Sequence, residues 1–185
     1  MKQQKEVWLR GEPVDGIAEW LQPVAHALLQ AGEEITNMME SFPDHLLWER
    51  PGGCAAPGFH LRHIPGVLDR LLTYAEAKPL STEQLDNLKE ETIADNSTVN
   101  ELVQRCQTRI TLTLERLKQF SGNKLLEHRG VGRAQLPSTV MGLCTHAAEH
   151  TMRHVGQLLV TVRVLQNTAT GALSVNLGRQ RSLKI

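Results

Sequence analysis

Four segments of this chain repeat their apolar residues at spacings of three, four and seven, a rhythm that an α-helix turns into one continuous face. In the first, Ile17, Trp20, Leu21, Val24, Leu28, Ile35 and Met39 line up, with Asp15 placed to cap the start and Ser41-Phe42-Pro43 to end it. Pro23 lies well inside that stretch and must kink the helix or delay its regular start. Arg50-Pro51-Gly52-Gly53 then breaks the chain.

The second helix is expected from Pro57, suited to a first helical position, to about Ala77. Its apolar residues (Phe59, Leu61, Ile64, Val67, Leu68, Leu71, Leu72, Tyr74 and Ala75) cover most of the circumference, which implies burial on more than one side. Residues 78–96 form a long crossover in which Ser81-Thr82-Glu83-Gln84 opens a short helix to about Glu91. The third long helix spans 97–120, with Leu102, Val103, Cys106, Ile110 and Leu114 inward and Glu101, Arg105, Arg109 and Arg116 outward. An irregular hairpin is expected between Leu125 and Leu136, around Gly130 and Gly132. The fourth helix follows Pro137-Ser138 and runs to about Gln166. The expected organisation is one all-α domain over 1–166 and a C-terminal tail over 167–185. With a long crossover after helix two, four such helices cannot run up-down-up-down throughout.

Charge narrows the partners. Lys+Arg and Asp+Glu each number 20, so no net field draws the chain to nucleic acid or anionic lipid. Aromatics at 4% leave little for base stacking, and no nucleic-acid partner is expected. No stretch approaches the roughly 20 apolar residues that span a bilayer, so no membrane is expected either. The opening residues, MKQQKEVWLRGEP, show no apolar core and no cleavage signal. Cys54, Cys106 and Cys144 are odd in number and widely spaced, as suits reduced thiols in the cytoplasm, each a small buried apolar residue.

The chemistry concentrates in helix four, in His146-Ala-Ala-Glu-His150-Thr-Met-Arg-His154-Val-Gly-Gln157. Residues four apart stand one turn apart on nearly the same line, so His146, His150 and His154 form a row at the border of the apolar face. Two imidazoles so spaced can chelate one ion, but a third ligand must come from another segment. The alternative is a polar flank satisfied by neighbouring hydrogen bonds. Glu149 precedes His150 and faces elsewhere, which excludes the HExxH protease arrangement. Helix two offers His60 and His63, and periodicity favours His60, which lies closer to the centre of the apolar stripe. His26, His45 and His128 have no comparable setting. Pro65, two residues after His63, must cost helix two a backbone hydrogen bond and either aims or misplaces that histidine.

A histidine early in helix two, followed some ninety positions later by His-x3-His-x-Gly-Gln, resembles the DinB superfamily, also called DinB/YfiT-like. Gly58-Phe59-His60-Leu61-Arg62-His63-Ile64 with Leu71-Leu72-Thr73-Tyr74-Ala75 is similar to the helix-two signature of one branch. Glu149-His150-Thr151 and Arg153-His154-Val155-Gly156-Gln157 match that of the last helix. The likeness in length and helix order covers about residues 10–166.

The resemblance implies an up-down-down-up four-helix bundle and a metal held by His63, His150 and His154. His60, His146 and Gln157 are left as secondary candidates beside the site. It further implies a divalent ion, zinc or nickel first, and a metal-dependent enzyme in which that ion activates a small thiol or water for transfer or hydrolysis of a small-molecule substrate. Gln157 or Arg153 would orient the nucleophile or substrate. Asp69, Glu149 and Glu101 are the carboxylates available as bases, each with the character of a solvated surface charge. The alternative is a non-catalytic metal-binding or stress-response module. Relatives pair as homodimers, and an apolar-all-round helix two fits either a partner's cover or burial within one chain.

Overall fold

The computed structural model describes residues 5–181, with side chains through residue 168. Its elements in chain order are α1 (Gln22–Met39), α2 (Pro57–Ala75), α3 (Thr82–Glu90), α4 (Val99–Leu117), β1 (His128–Val131), β2 (Leu136–Thr139) and α5 (Val140–Arg181). Among the described residues the fold is all-α apart from one two-stranded hairpin.

Helix starts follow local chemistry. α1 begins at Gln22 rather than near Asp15, because Pro23 belongs in a first turn, where its missing N–H costs nothing. The Gln22 side chain anchors the preceding loop, accepting from the Val14 N–H at 2.7 Å and donating to the Val14 and Ile17 carbonyls at 3.0 and 2.8 Å. α3 and α4 open with reciprocal capping boxes, Ser81 with Gln84 and Thr98 with Glu101. Ala56 offers α2 no side-chain cap, and the Leu47 carbonyl substitutes, accepting from the Gly58 N–H at 2.7 Å. Gly58 also admits Trp48, since a Cβ there would sit 2.8 Å from the indole. At the other end of α2, Arg129 of β1 donates to the Ala75 carbonyl at 2.7 Å.

Both α1 and α2 pack against α4 and α5. Leu28 and Ile35 of α1, Leu61, Ile64, Leu68 and Leu72 of α2, Leu102 and Leu117 of α4 and Leu158 of α5 are fully buried. At about 1.5–3 kcal/mol for each such side chain, the bundle has an apolar core to fold around that is built without any metal-binding side chain. α2 is buried on most sides within the single chain, which accounts for its apolar circumference.

α2 runs unbroken through Pro65. The carbonyl of Leu61, which loses its helical donor to that proline, lies 3.1 Å from the buried Cys106 Sγ on α4. Cys106 and Cys144 are buried as expected, whereas Cys54, in the loop before α2, is exposed.

α5 reaches 42 residues against 18 or 19 for α1, α2 and α4. It continues past Gln166, so the expected tail is helical through Arg181, and its last residues, 182–185, lie outside the described ones, as do 1–4. Among the described residues no helix is long and apolar enough to cross a membrane.

Candidate metal centre

Two helices meet through their histidines. His60 and His63 come from α2, His150 and His154 from α5. One ring nitrogen from each of His63, His150 and His154 falls within 4.8 Å of the others. The Nε2 atoms of His63 and His150 face each other at 2.9 Å, and the ring centroids of His63 and His154 are 4.4 Å apart. Two nitrogens at that separation need either a proton or a cation between them. His60 lies outside this trio, although periodicity favours it. It is buried, and its Nδ1 stands 3.0 Å from His154 Nδ1.

The rings are held from behind. His63 Nδ1–H donates to Glu91 Oε2 at 2.7 Å, which leaves the Nε2 lone pair aimed at the cluster. Glu91 is 4% exposed and would be costly there alone. Its other oxygen accepts from Arg70 Nη1 at 2.6 Å, and Arg70 is buried beside it. A histidine donating its far N–H to a carboxylate is the usual support of a metal ligand, fixing tautomer and orientation. His60 can give His154 a comparable support: in the tautomer in which His154 Nδ1–H donates to His60 Nδ1, the His154 Nε2 is free. His150 has no such support, since its Nδ1 is buried without a partner. Phe59 closes one side, stacked on His63 at 5.2 Å and edge-on to His154 at 6.1 Å.

The electrostatics favour the neutral form of His60, His150 and His154. Burial, then the neighbouring histidines and Arg153, push His154 down to about 3. Burial and His63 push His60 down to about 4. His150 shifts down for the same reasons, burial first, with Glu149 opposing weakly. A metal requires imidazole lone pairs, which the lowered protonation of His150 and His154 favours and the Glu91 contact directs at His63, so the donor set fits a divalent ion.

Residues 27–158, which contain the whole cluster, match the family model of the DinB superfamily. The chain belongs to the DinB superfamily. Two solved structures share its fold. A DinB-like protein from Bacillus cereus has 17% identity and a TM-score of 0.58, covering 75% of this chain and 91% of its own. A conserved protein from Enterococcus faecalis has 18% identity and a TM-score of 0.60, covering 80% and 97%. No curated protein matches.

Other candidates in this DinB chain stand apart from the trio. His146 is one turn before His150, its ring centroid 5.3 Å away, but it is half exposed and its Nδ1 lies 3.3 Å from Glu149. Gln157 is exposed on α5, and Arg153 pairs with Glu149 at 2.6 Å. Glu101 is occupied capping α4. Asp69 accepts from Arg109 at 2.7 Å, Arg116 at 2.9 Å and Gln84 at 2.8 Å. His45 and His128 are exposed, and His26 lies 3.1 Å from the Glu12 carbonyl oxygen.

Glu91 and Arg70 are the functional residues that sequence reasoning misses. A signal for them exists in Gly66, mid-helix among large residues. A Cβ there would collide with Glu91 and approach Arg70 Nη1 at 2.8 Å. A glycine inside a helix marks a close approach, and a basic residue one turn later on a buried helix asks for an acid.

Proposed function

We propose that this DinB-superfamily chain is a metal-dependent enzyme whose His63, His150 and His154 hold one divalent ion, zinc or nickel first. The reaction is activation of a small thiol or water for transfer to, or hydrolysis of, a small electrophile. The observation that carries this reading is the convergence of three imidazoles from two helices, with one ring nitrogen of each within 4.8 Å of the others. A divalent ion so held supplies Lewis acidity, which lowers the pKa of a bound water or thiol, and three protein ligands leave a position open.

The chain's own residues do the rest. Glu91 fixes the His63 ring, and Arg70 holds Glu91 in place through its other carboxylate oxygen. His60 orients His154, while Phe59 shields the pair from water. The reading extends to a homodimer in the cytoplasm, for which the apolar side chains that α5 exposes at Leu159, Val160 and Val164 offer a surface.

One observation favours the second reading, a metal-binding module without turnover. A cleft of about 640 Å³ between α2, α3 and α4 includes Glu91 and Arg70 in its walls but none of the four clustered histidines. Elemental analysis of the purified wild type, His63→Ala, His150→Ala and His60→Ala tests the metal. One ion per chain, lost with His63 or His150, supports the site, and none after reconstitution with zinc and nickel sinks it. A thiol-transfer and hydrolysis screen of the loaded protein then separates the enzyme from the module.

A further inference from the structure

Helix α2 carries His60 and His63 one side of Pro65, and that proline opens a gap in the helix's own bonding. An N–H at position 65 would close the ring onto the carbonyl of Leu61; proline has none. The carbonyl sits in the core, where an unpaired acceptor is costly. The compensation comes from α4, where the Cys106 Sγ lies 3.1 Å from the Leu61 oxygen, with both residues fully buried. Burial also pushes the Cys106 thiol up to about 12, so it keeps its proton at neutral pH and can donate. Leu61 falls between the two histidines of α2, so this contact pins the turn on which they stand.

We propose that Cys106 is a positioning residue for the metal centre: its thiol, donating to the Leu61 carbonyl that Pro65 leaves open, holds the His60–His63 turn of α2 in register with His150 and His154. The inference rests on the metal reading above. It gives α4, which contributes no ligand, a role in placing one. It also accounts for a cysteine where an aliphatic residue of similar size would fill the same space, because an aliphatic side chain has no donor.

Two backgrounds test it. In the natural chain, Cys106→Ala and Cys106→Val are expected to weaken zinc binding, read by competition with a chromophoric chelator, about tenfold, in the range of outer-sphere substitutions. Both should change the visible spectrum of the cobalt-loaded protein, while Cys106→Ser, whose hydroxyl donates, stays near wild type. On a Pro65→Ala background the backbone N–H is restored, and Cys106→Ala should then cost nothing. Equal losses on both backgrounds would reduce Cys106 to core filling and overturn the proposal, as would an unchanged affinity and spectrum for Cys106→Ala. If the wild type takes up neither zinc nor cobalt, the metal reading fails instead. The imidazole nitrogen–proton correlations of His63 in the metal-free chain then decide: displaced by Cys106→Ala and restored by Cys106→Ser, they uphold the placement, and unmoved they overturn it.

Discussion

Two polar clusters interrupt the apolar packing of α2, and they are built on opposite principles. Toward α4, Asp69 and Glu76 meet Arg109 and Arg116 with Thr73 and Gln84 filling in, so each charge has an opposite neighbour. Toward α5, four histidines crowd together, three of them held below their ordinary protonation range, with Glu91 and Arg70 behind one of them. The first cluster is complete as it stands. The second brings ring nitrogens together in pairs that need a proton or a cation between them, so a cation can take the place of the shared proton. The contrast separates a joint from a site better than the count of polar residues in either.

The largest expected difference between the clusters is in metal uptake. His63→Ala or His150→Ala should abolish it while the chain stays folded, because the apolar core is built without any metal-binding side chain. Asp69→Asn should leave metal content at the wild-type value. Elemental analysis with far-ultraviolet circular dichroism checks both, and metal loss in Asp69→Asn would break the comparison. Next comes Glu91→Gln, which keeps an acceptor for His63 but removes the charge. Zinc affinity should fall by about 10–100-fold, read by chelator competition. Asp69→Ala leaves two partly exposed arginines without their shared partner and should cost about 1–2 kcal/mol in urea unfolding, with zinc affinity unchanged.

Acid sharpens the contrast through the pH window. His60 and His154 protonate far more readily unfolded, near their ordinary 6.5, than folded, at about 4 and about 3. Between those values the unfolded chain binds more protons, so the metal-free protein should lose stability progressively as pH falls below about 6.5. Glu76 titrates later. Burial raises it, but Arg116 and Lys78 outweigh burial and lower it from 4.5, so its contribution persists above that pH and is lost only as pH falls further. Unfolding of the metal-free chain followed from pH 8 to 4 should therefore weaken before the arginine cluster is touched, and flat stability from 7 to 5 would contradict it. The smallest effect belongs to the exposed Glu149–Arg153 pair: Glu149→Gln should leave metal content and melting temperature where they are.

What can be read from the sequence follows the range of the interactions. The α5 histidine row is legible because one helix sets its geometry. The capping box at Ser81 is legible for the same reason, and so is the presence of a hairpin, although its second strand, Leu136–Thr139, lies beyond the expected end at Leu136. The choice between His60 and His63 is not legible from periodicity, because α2 is buried nearly all round and an apolar stripe then singles out no face. Resemblance to the family points to His63, and the trio of converging nitrogens contains it. Asp69 looks like a solvated charge from its place on the helix, since the arginines that engage it stand some forty positions along the chain. Glu91 is the hardest, because it lies inside the crossover, just past the end of a short, mostly exposed helix, and only Gly66 hints that something must come close.

That glycine has a consequence for durability. The oxygen seated against it belongs to the connection between two helices, and Arg62 ties the same connection down through the carbonyls of Glu90 and Ile93. A protease cut, a heat-loosened strand of backbone or a molecule wedged into the neighbouring cleft would release His63's brace while every coordinating side chain stayed in place. The geometry of the histidine cluster therefore depends on a connection that can loosen while every helix of the bundle is still in place.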